Sequence, residues 1–241
     1  MILPEPVPTS DRTAELARRL HVVRRRVATA CDDVGRNAAE VTLVVVTKYF
    51  PAADVRILAG LGVTDVAENR HQEAVDKEEA CSALGLRWHF VGGLQSNKAA
   101  AVTSYADLVQ SVDRAKLLAP LARGAAEHGR ELDILIQVSL DPPGSAHRSG
   151  VAPGELGALA DRADGHEHLR LRGVMAVAPL DSDPAEAFDR LAELHEEVLR
   201  DHPGAQWRSA GMSGDLEHAV RRGATHVRVG SAVLGSRPSV K

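Results

Sequence analysis

A lysine lies at the end of the apolar run in VTLVVVTKYFP, at residues 41–51. If this run is a β-strand, Val44, Val46 and Lys48 share one face, because side chains alternate along a strand. One interpretation is a strand-end lysine that extends its amine into solvent. The other is a partly desolvated amine, and desolvation favours the neutral form that attacks an aldehyde to give a Schiff base. Lys48 is therefore a candidate for binding a carbonyl compound.

Two segments near the end of the chain combine glycine with serine. The first, GMSGDLEHAV, contains Ser213 and Gly214, and Asp215 begins a predicted helix whose amides could meet an anion. Taken alone, this segment is typical of an ordinary loop with a helix N-cap. The second, GSAVLG, places Gly230 and Ser231 at the corresponding position after the next predicted strand. Together they indicate a phosphate site, which in α/β barrels often follows strands seven and eight.

A lysine suited to an aldehyde, together with a phosphate site, points to pyridoxal 5′-phosphate (PLP) as the ligand. Arg228, in the predicted strand THVRVG, supports this interpretation, because a buried guanidinium keeps its charge and needs a partner or a ligand. If it faces the pyridine nitrogen, it donates to an unprotonated ring and weakens the cofactor as an electron sink. The alternative is an ion pair between Arg228 and a barrel carboxylate such as Glu68.

The elements that must position these residues alternate between short apolar runs and amphipathic stretches. The runs predicted as strands are TLVVVT, TDVA, RWHFVG, DLVQS, DILIQVS, LRGVMAVA, QWRSAG and THVRVG. Helices are predicted between them at residues 52–60, 71–84, 96–103, 114–128, 153–163, 184–200 and 215–222. Eight such units with apolar strands favour an α/β fold that closes into a TIM-like (β/α)8 barrel. An extra N-terminal helix is predicted at residues 11–36, after a flexible lead at residues 1–10.

The composition excludes several classes of function. A chain of 241 residues has the length of one α/β barrel, so a single domain is expected over residues 1–241. Its 33 acidic and 29 basic side chains argue against binding to nucleic acid or to an anionic membrane. The cysteines form no CxxC motif and the histidines no HExxH motif, so no metal site is expected. Without a signal peptide or a membrane-spanning segment, we expect a cytoplasmic protein.

Several segments together resemble the pyridoxal phosphate homeostasis protein family. They are VVTKYFP, AENRHQEAVDK, WHFVGGLQSNK, SVDR, LIQVSLD, RSGV, LRGVMAVAP and GMSGDLEHAVRRGATHVRVGSAVLGSR, and the resemblance as a whole extends from about Arg12 to Arg237. The resemblance implies one alanine-racemase-like barrel domain of the type III PLP fold. It also implies a protein that binds PLP and buffers it or transfers it to PLP-dependent apoenzymes, with little or no catalytic turnover.

Site residues follow from the resemblance position by position. Lys48 matches the family lysine that holds PLP as a covalent internal aldimine, and Arg228 matches the arginine at the pyridine nitrogen. The other matching positions line the cofactor pocket or bind the phosphate: Asn69, Met175, Ser213, Gly214, Gly230 and Ser231. His89, Asn97 and Lys98 lie in a family segment expected near the mouth, with open roles, and His89 is equally well explained as a core histidine.

The chain departs from the family pattern at a few positions. The family often has GENY where this chain has AENR, so Arg70 adds a cation and Ala67 replaces a glycine. In the family an acidic residue can replace Gly214. These departures concern local contacts around the second strand and the phosphate, and they leave Lys48 and Arg228 unchanged.

Two enzyme classes remain as alternatives. A PLP-dependent amino-acid racemase of this fold uses a second, β-rich domain to place a tyrosine opposite the lysine. This chain ends soon after the eighth unit, and its tyrosines, Tyr49 and Tyr105, lie within the barrel units, so a binding protein with at most a weak side activity is favoured. A Schiff-base aldolase acting on a sugar phosphate would use the lysine without PLP. In the racemases the second domain usually builds the dimer. No such domain is expected in this chain, so we expect a monomer.

Overall fold

Parallel strands close into a barrel in the computed structural model, which describes residues 10–142, 149–180 and 182–237. The strands are β1 (Thr42–Val46), β2 (Asp65–Glu68), β3 (Arg87–Phe90), β4 (Leu108–Val112), β5 (Leu132–Gln137), β6 (Leu169–Met175), β7 (Trp207–Ser209) and β8 (His226–Val229). Neighbours in the chain pair with each other, and β8 pairs with β1. This topology confirms the predicted α/β fold of the TIM-like (β/α)8 class.

Helices surround the barrel. The α-helices are α1 (Ser10–Asp32), α2 (Ala52–Gly60), α3 (His71–Cys81), α4 (Ala99–Val102), α5 (Leu118–Glu127), α6 (Leu156–Asp164), α7 (Pro184–Asp201), α8 (Leu216–Arg221) and α9 (Ser231–Leu234). Short 3-10 helices occur at Ala38–Glu40, Ser82–Leu84, Ser96–Lys98, Ala115–Leu117 and Pro153–Glu155. When each 3-10 helix is joined to the α-helix beside it, the helices predicted between the strands are confirmed nearly to their end residues.

The N-terminal helix is shorter than the predicted range of 11–36, because α1 ends at Asp32. The chain then turns through Gly35, whose φ of 68° is the left-handed conformation that commonly ends helices. The helix packs on α8 and α9. Its buried face includes Leu16, Leu20, Val23 and Val27, as their spacing predicted. The predicted flexible lead lies outside the described residues, except for Ser10, which begins the helix.

The two faces of the barrel strands differ in chemistry. Outward side chains pack under the helices in the main apolar core, which includes Val45, Val66, Val109, Ile134 and Val227. The interior has a small apolar cluster of Leu108, Leu135 and Met175. Alternation places buried polar side chains on the same interior faces: Asp65, His89, Gln110, Ser209, His226 and Arg228. The expectation of continuously apolar strands therefore holds for the outer face only, and a polar layer lies inside the barrel.

Two further properties concern the described part of the chain alone. None of its helices has the length and apolar character needed to cross a bilayer. The same residues contain no group of three or more His, Cys, Asp and Glu side chains arranged to hold a metal ion.

Candidate functional site

Lys48 lies in a turn directly after β1. The next residue, Tyr49, has a φ of 72°, which is uncommon for residues other than glycine. Two hydrogen bonds with α3 hold this turn. The Tyr49 amide donates to Glu73 Oε1 at 2.6 Å, and the Lys77 ammonium donates to the Thr47 carbonyl oxygen at 2.8 Å. These contacts stabilise an unusual backbone conformation beside Lys48.

A buried ion-pair network between β2 and α3 supports the turn. Lys77 Nζ lies 2.7 Å from Glu68 Oε1 and 2.8 Å from Glu73 Oε1. The Thr47 hydroxyl donates to the same Glu68 oxygen at 2.6 Å. Burial raises the pKa of Glu68, and the attraction of Lys77 opposes this effect. Glu68 is therefore directed towards α3, and the alternative in which it pairs with Arg228 is wrong.

A cavity of about 710 Å³ opens at the carboxyl ends of the strands. It is lined by every residue predicted to bind the cofactor: Lys48, Asn69, Met175, Ser213, Gly214, Arg228, Gly230 and Ser231. These residues belong to β6, β8, the first residue of α9 and the loops after β1, β2, β7 and β8, so closure of the barrel brings them together. The predicted residues thus surround one space.

Arg228 is buried beneath the cavity, with 5% of its surface exposed. Its Nη1 donates to the Ser209 hydroxyl oxygen at 2.6 Å, and its Nη2 donates to the Ala176 carbonyl oxygen at 2.9 Å. Burial lowers the pKa of the guanidinium to about 10, which leaves it charged at neutral pH. Because both of these partners are uncharged, the guanidinium brings a positive charge to the cavity.

The two predicted phosphate loops meet at Ser213. Its hydroxyl oxygen accepts a hydrogen bond of 3.2 Å from the Ala232 amide, which joins the loop after β7 to α9. Its carbonyl oxygen accepts a hydrogen bond of 3.0 Å from Arg26 Nη1 on α1. The same guanidinium forms a bidentate pair with Glu217 on α8, at 2.6 and 2.8 Å. The N-terminal helix therefore supports the loop that contains Ser213.

Asn69 brings an unsatisfied acceptor to the cavity. Its buried Oδ1 has no hydrogen-bond partner among the described residues. Gly92 lies against the same residue, and a Cβ there would be 2.1 Å from the Asn69 carbonyl oxygen, so this approach requires glycine. Leaving a buried amide oxygen without a donor is costly unless a ligand supplies one. Together with the amine, the guanidinium and the serine loops, this acceptor fits the functional groups of PLP.

Comparison with known proteins identifies the family. The family model described as "Alanine racemase, N-terminal domain" matches residues 21–238. A pyridoxal phosphate homeostasis protein of Mycobacterium tuberculosis (strain H37Rv) is 43% identical over 246 residues, covering 94% of this chain and 95% of the relative. The chain belongs to the pyridoxal phosphate homeostasis protein family. This finding confirms the resemblance on which the site prediction was based.

Solved structures of related proteins have the same barrel fold as this chain. PipY of Synechococcus elongatus, solved with PLP bound, is 33% identical and has a TM-score of 0.80, with 91% of this chain and 100% of that chain covered. An alanine racemase of Corynebacterium glutamicum has a TM-score of 0.62 at 14% identity, with 92% of this chain and 60% of that chain covered. At that identity the likeness shows the fold alone, and it confirms an alanine-racemase-like barrel.

The structure shows the contacts of the residues at which the chain departs from the expected family pattern. Arg70 is exposed just before α3, and its guanidinium lies 5.5 Å from the centre of the Tyr49 ring. Ala67 is buried in β2. A Cβ at Gly230 would lie 3.3 Å from a backbone oxygen, whereas one at Gly214 would meet no atom within 4 Å. The open space at Gly214 would therefore accommodate a side chain.

Three residues of the family segment WHFVGGLQSNK take no part in the cavity lining of the described chain. His89 is fully buried, with Nε2 2.9 Å from Asp65 Oδ1 and Nδ1 2.8 Å from Gln110 Nε2. It is therefore a satisfied interior histidine. Asn97 and Lys98 are exposed on the 3-10 helix that follows β3. Asn97 and Lys98 therefore lie at the carboxyl ends of the strands, where the cavity opens, without lining it, whereas His89 lies in the barrel interior.

One side of the cavity was missed by sequence reasoning. It is formed by the end of β5 and the residues after it, and includes Gln137, Ser139, Asp141 and Ser149. The Gln137 side-chain amide donates to the Ser149 carbonyl oxygen at 2.8 Å. The alternation in DILIQVS, which puts Gln137 and Ser139 on the interior face of Leu135, was the signal that could have found them. Residues 143–148 of the predicted loop DPPGSAHRSG lie outside the described ranges.

Proposed function

We propose that the protein binds PLP in this cavity and acts in PLP homeostasis, by buffering the cofactor or transferring it. One observation carries the proposal: a single cavity combines the amine of Lys48, the guanidinium of Arg228 and the two serine-containing loops. These groups complement the aldehyde, the pyridine nitrogen and the phosphate of PLP. Family membership and the PLP bound to PipY support the same ligand.

Each lining residue has a proposed part in holding the ligand. Lys48 would hold PLP through its aldehyde carbon, since condensation with an amine, with loss of the aldehyde oxygen as water, is the chemistry that PLP supplies when bound. The phosphate is bound by Ser213, Gly214, Gly230 and Ser231. Asn69 Oδ1 accepts a hydrogen bond from the ligand, and Met175 contacts the ring. The support for these roles is the position of all these residues on one cavity.

We infer that the protein has little or no catalytic turnover. The Arg228 guanidinium donates a hydrogen bond to the ring nitrogen and disfavours its protonation, which weakens the ring as an electron sink. Neither tyrosine of the described chain lines the cavity, so neither is placed to exchange a proton opposite Lys48. Tyr105 is buried, and burial raises the pKa of its phenol above the usual range. These features favour a carrier over a racemase.

The proposal extends to the protein's surroundings. We propose that PLP-dependent apoenzymes receive the cofactor from it and that the chain is one domain over residues 1–241. We also propose that it is a monomer, located in the cytoplasm. The family resemblance supports the first two statements. Mass measurement in solution tests the monomeric state, and a dimer would contradict it.

Titration of the apoprotein with PLP, followed by visible absorption, tests the proposed ligand. The wild type should develop an absorption band that Lys48→Ala abolishes. Lys98→Ala, at an exposed position outside the cavity lining, is the control and should keep it. A wild type that stays colourless would favour the Schiff-base aldolase instead. In a racemase assay, turnover equal to that of a dedicated racemase and lost in Lys48→Ala would overturn the carrier function.

A further inference from the structure

A chain of side-chain hydrogen bonds crosses the barrel interior from Arg228 to Asp65. Arg228 Nη1 lies 2.6 Å from Ser209 Oγ, which in turn lies 2.6 Å from Gln110 Oε1. Gln110 Nε2 lies 2.8 Å from His89 Nδ1, and His89 Nε2 lies 2.9 Å from Asp65 Oδ1. All five side chains are buried, and each comes from a different strand. The chain links the cavity lining to the opposite end of the barrel.

The bonds of this chain point in one direction. The guanidinium and the Gln110 amide nitrogen can only donate, so Ser209 Oγ and His89 Nδ1 are acceptors. The hydroxyl proton of Ser209 then goes to Gln110 Oε1, and the proton of a neutral His89 lies on Nε2 and goes to the Asp65 carboxylate. A reversed amide at Gln110 would direct a second N–H donor at Ser209 Oγ and remove the acceptor of the hydroxyl proton. Each donor of the chain therefore has an acceptor in one arrangement only.

The chain ends on a carboxylate that stays ionised. Burial raises the pKa of Asp65, but hydrogen bonds from His89 and Thr64 lower it further, so the net pKa is below the usual range. The direct partners of the Arg228 guanidinium are a hydroxyl and a carbonyl oxygen. The carboxylate of Asp215 also attracts the guanidinium. Aligned hydrogen bonds polarise one another in a medium of low dielectric. Asp65 also lies 3.7 Å from the Arg87 guanidinium, so its part in the chain is to accept the hydrogen bond of His89 and fix the order of donors.

We propose that Ser209, Gln110, His89 and Asp65 are positioning residues that fix the Arg228 guanidinium towards the cavity. They do not line the cavity, and they act by holding the Ser209 oxygen as an acceptor for Arg228. The effect on PLP rests on the proposed function, but the hydrogen-bond order is a property of the protein without ligand. The two can therefore be tested separately.

The first test is NMR of isotope-labelled histidine side chains in the apoprotein. The His89 signals are assigned by their loss in His89→Gln. We expect the neutral tautomer with the proton on Nε2 and an unprotonated Nδ1. Gln110→Leu, which removes the donor to Nδ1, should shift the Nδ1 signal, whereas His226→Asn should leave His89 in the same tautomer. A proton on Nδ1 of wild-type His89 would overturn the proposed order of donors, whatever the protein binds.

The second test is a set of double-mutant cycles on PLP affinity. Ser209→Ala and Gln110→Leu should each weaken binding by about threefold to tenfold, the effect of one lost hydrogen bond. Combined with each other, or with Arg228→Gln, they should add nothing, because they act through the same guanidinium. His226→Asn removes a buried histidine of the same interior whose hydrogen-bond partner is Thr225, and it should leave affinity nearly unchanged.

The outcomes separate the two proposals. Additive losses in the Arg228→Gln background, or no loss in Ser209→Ala, would contradict the positioning role. If Gln110→Leu does not fold, Ser209→Ala breaks the same hydrogen-bond chain with a smaller change. The double-mutant cycle is then made with Ser209→Ala and Arg228→Gln. If the wild type binds no PLP, the proposed function and the positioning of Arg228 for PLP both fail, while the tautomer of His89 still decides the hydrogen-bond order.

Discussion

Lys48 takes its position from the residues on either side of it. Lys77 binds the carbonyl oxygen of Thr47, and Glu73 binds the amide of Tyr49. Both helix residues belong to the buried network that includes Glu68. A substitution in α3 that changes no cavity-lining residue should therefore still alter the position of the Lys48 amine.

Lys77→Met would remove the cation that lies beside Glu68. We expect the free energy of unfolding to fall by about 3 kcal/mol, because a buried carboxylate loses its partner. PLP affinity should also fall, because the turn at Lys48 loses one of its hydrogen bonds. Urea unfolding and PLP titration measure the two effects. Lys116→Met, at an exposed position, serves as the control, and equal stability of the two variants would contradict the role given to the network.

At the scale of elements, local patterns predicted the barrel and part of its site. Hydrophobic periodicity predicted the helices and strands, and cations in buried strands marked Lys48 and Arg228. The polar interior was not predictable in this way. Gln110 and Ser209 are 99 positions apart in the sequence, and either residue alone is ordinary in a strand. Their contact depends on barrel closure, which no local pattern encodes.

The link between α1 and the loop after β7 is another contact of this kind. Arg26→Gln should weaken PLP binding severalfold, because the carbonyl oxygen of Ser213 and the carboxylate of Glu217 lose their shared donor. Stability should change by less than about 1 kcal/mol, since the ion pair is partly exposed. Equilibrium PLP titration measures the effect on binding.

Arg24→Gln is the matched control for this prediction. Arg24 lies on the same helix and donates to the carbonyl oxygens of Leu61 and Gly62, away from the cavity lining. Its replacement should leave PLP affinity unchanged. Equal affinities in the Arg26 and Arg24 variants would show that α1 does not support the phosphate loop.

The whole molecule couples its stability to pH through buried histidines. Burial, followed by the proximity of His89, lowers the pKa of His226 to about 3, and burial also lowers the pKa of His195. The unfolded chain, with histidine pKa values near about 6.5, therefore binds protons that the folded chain does not. The contribution to stability is full above this value and is lost as the pH falls towards the folded pKa.

His226→Asn should make stability less sensitive to acid. Between about pH 7.5 and about pH 5.5, the free energy of unfolding of the wild type should fall by about 1 kcal/mol more than that of the variant. Urea unfolding of the apoproteins at both pH values measures the difference. His21→Asn changes an exposed histidine and should behave as the wild type. An identical pH dependence in wild type and His226→Asn would show that His226 is not held neutral by burial.

Borohydride reduction of the PLP-loaded protein, followed by peptide mapping, tests the central claim most directly. The chain has five lysines, at positions 48, 77, 98, 116 and 241. Reduction makes the bond between an amine and the PLP aldehyde permanent, so the peptide that carries PLP identifies the amine. The predicted result is a label on the peptide that contains Lys48 and on no other. A label on a different lysine, or a protein that carries no label, would contradict it.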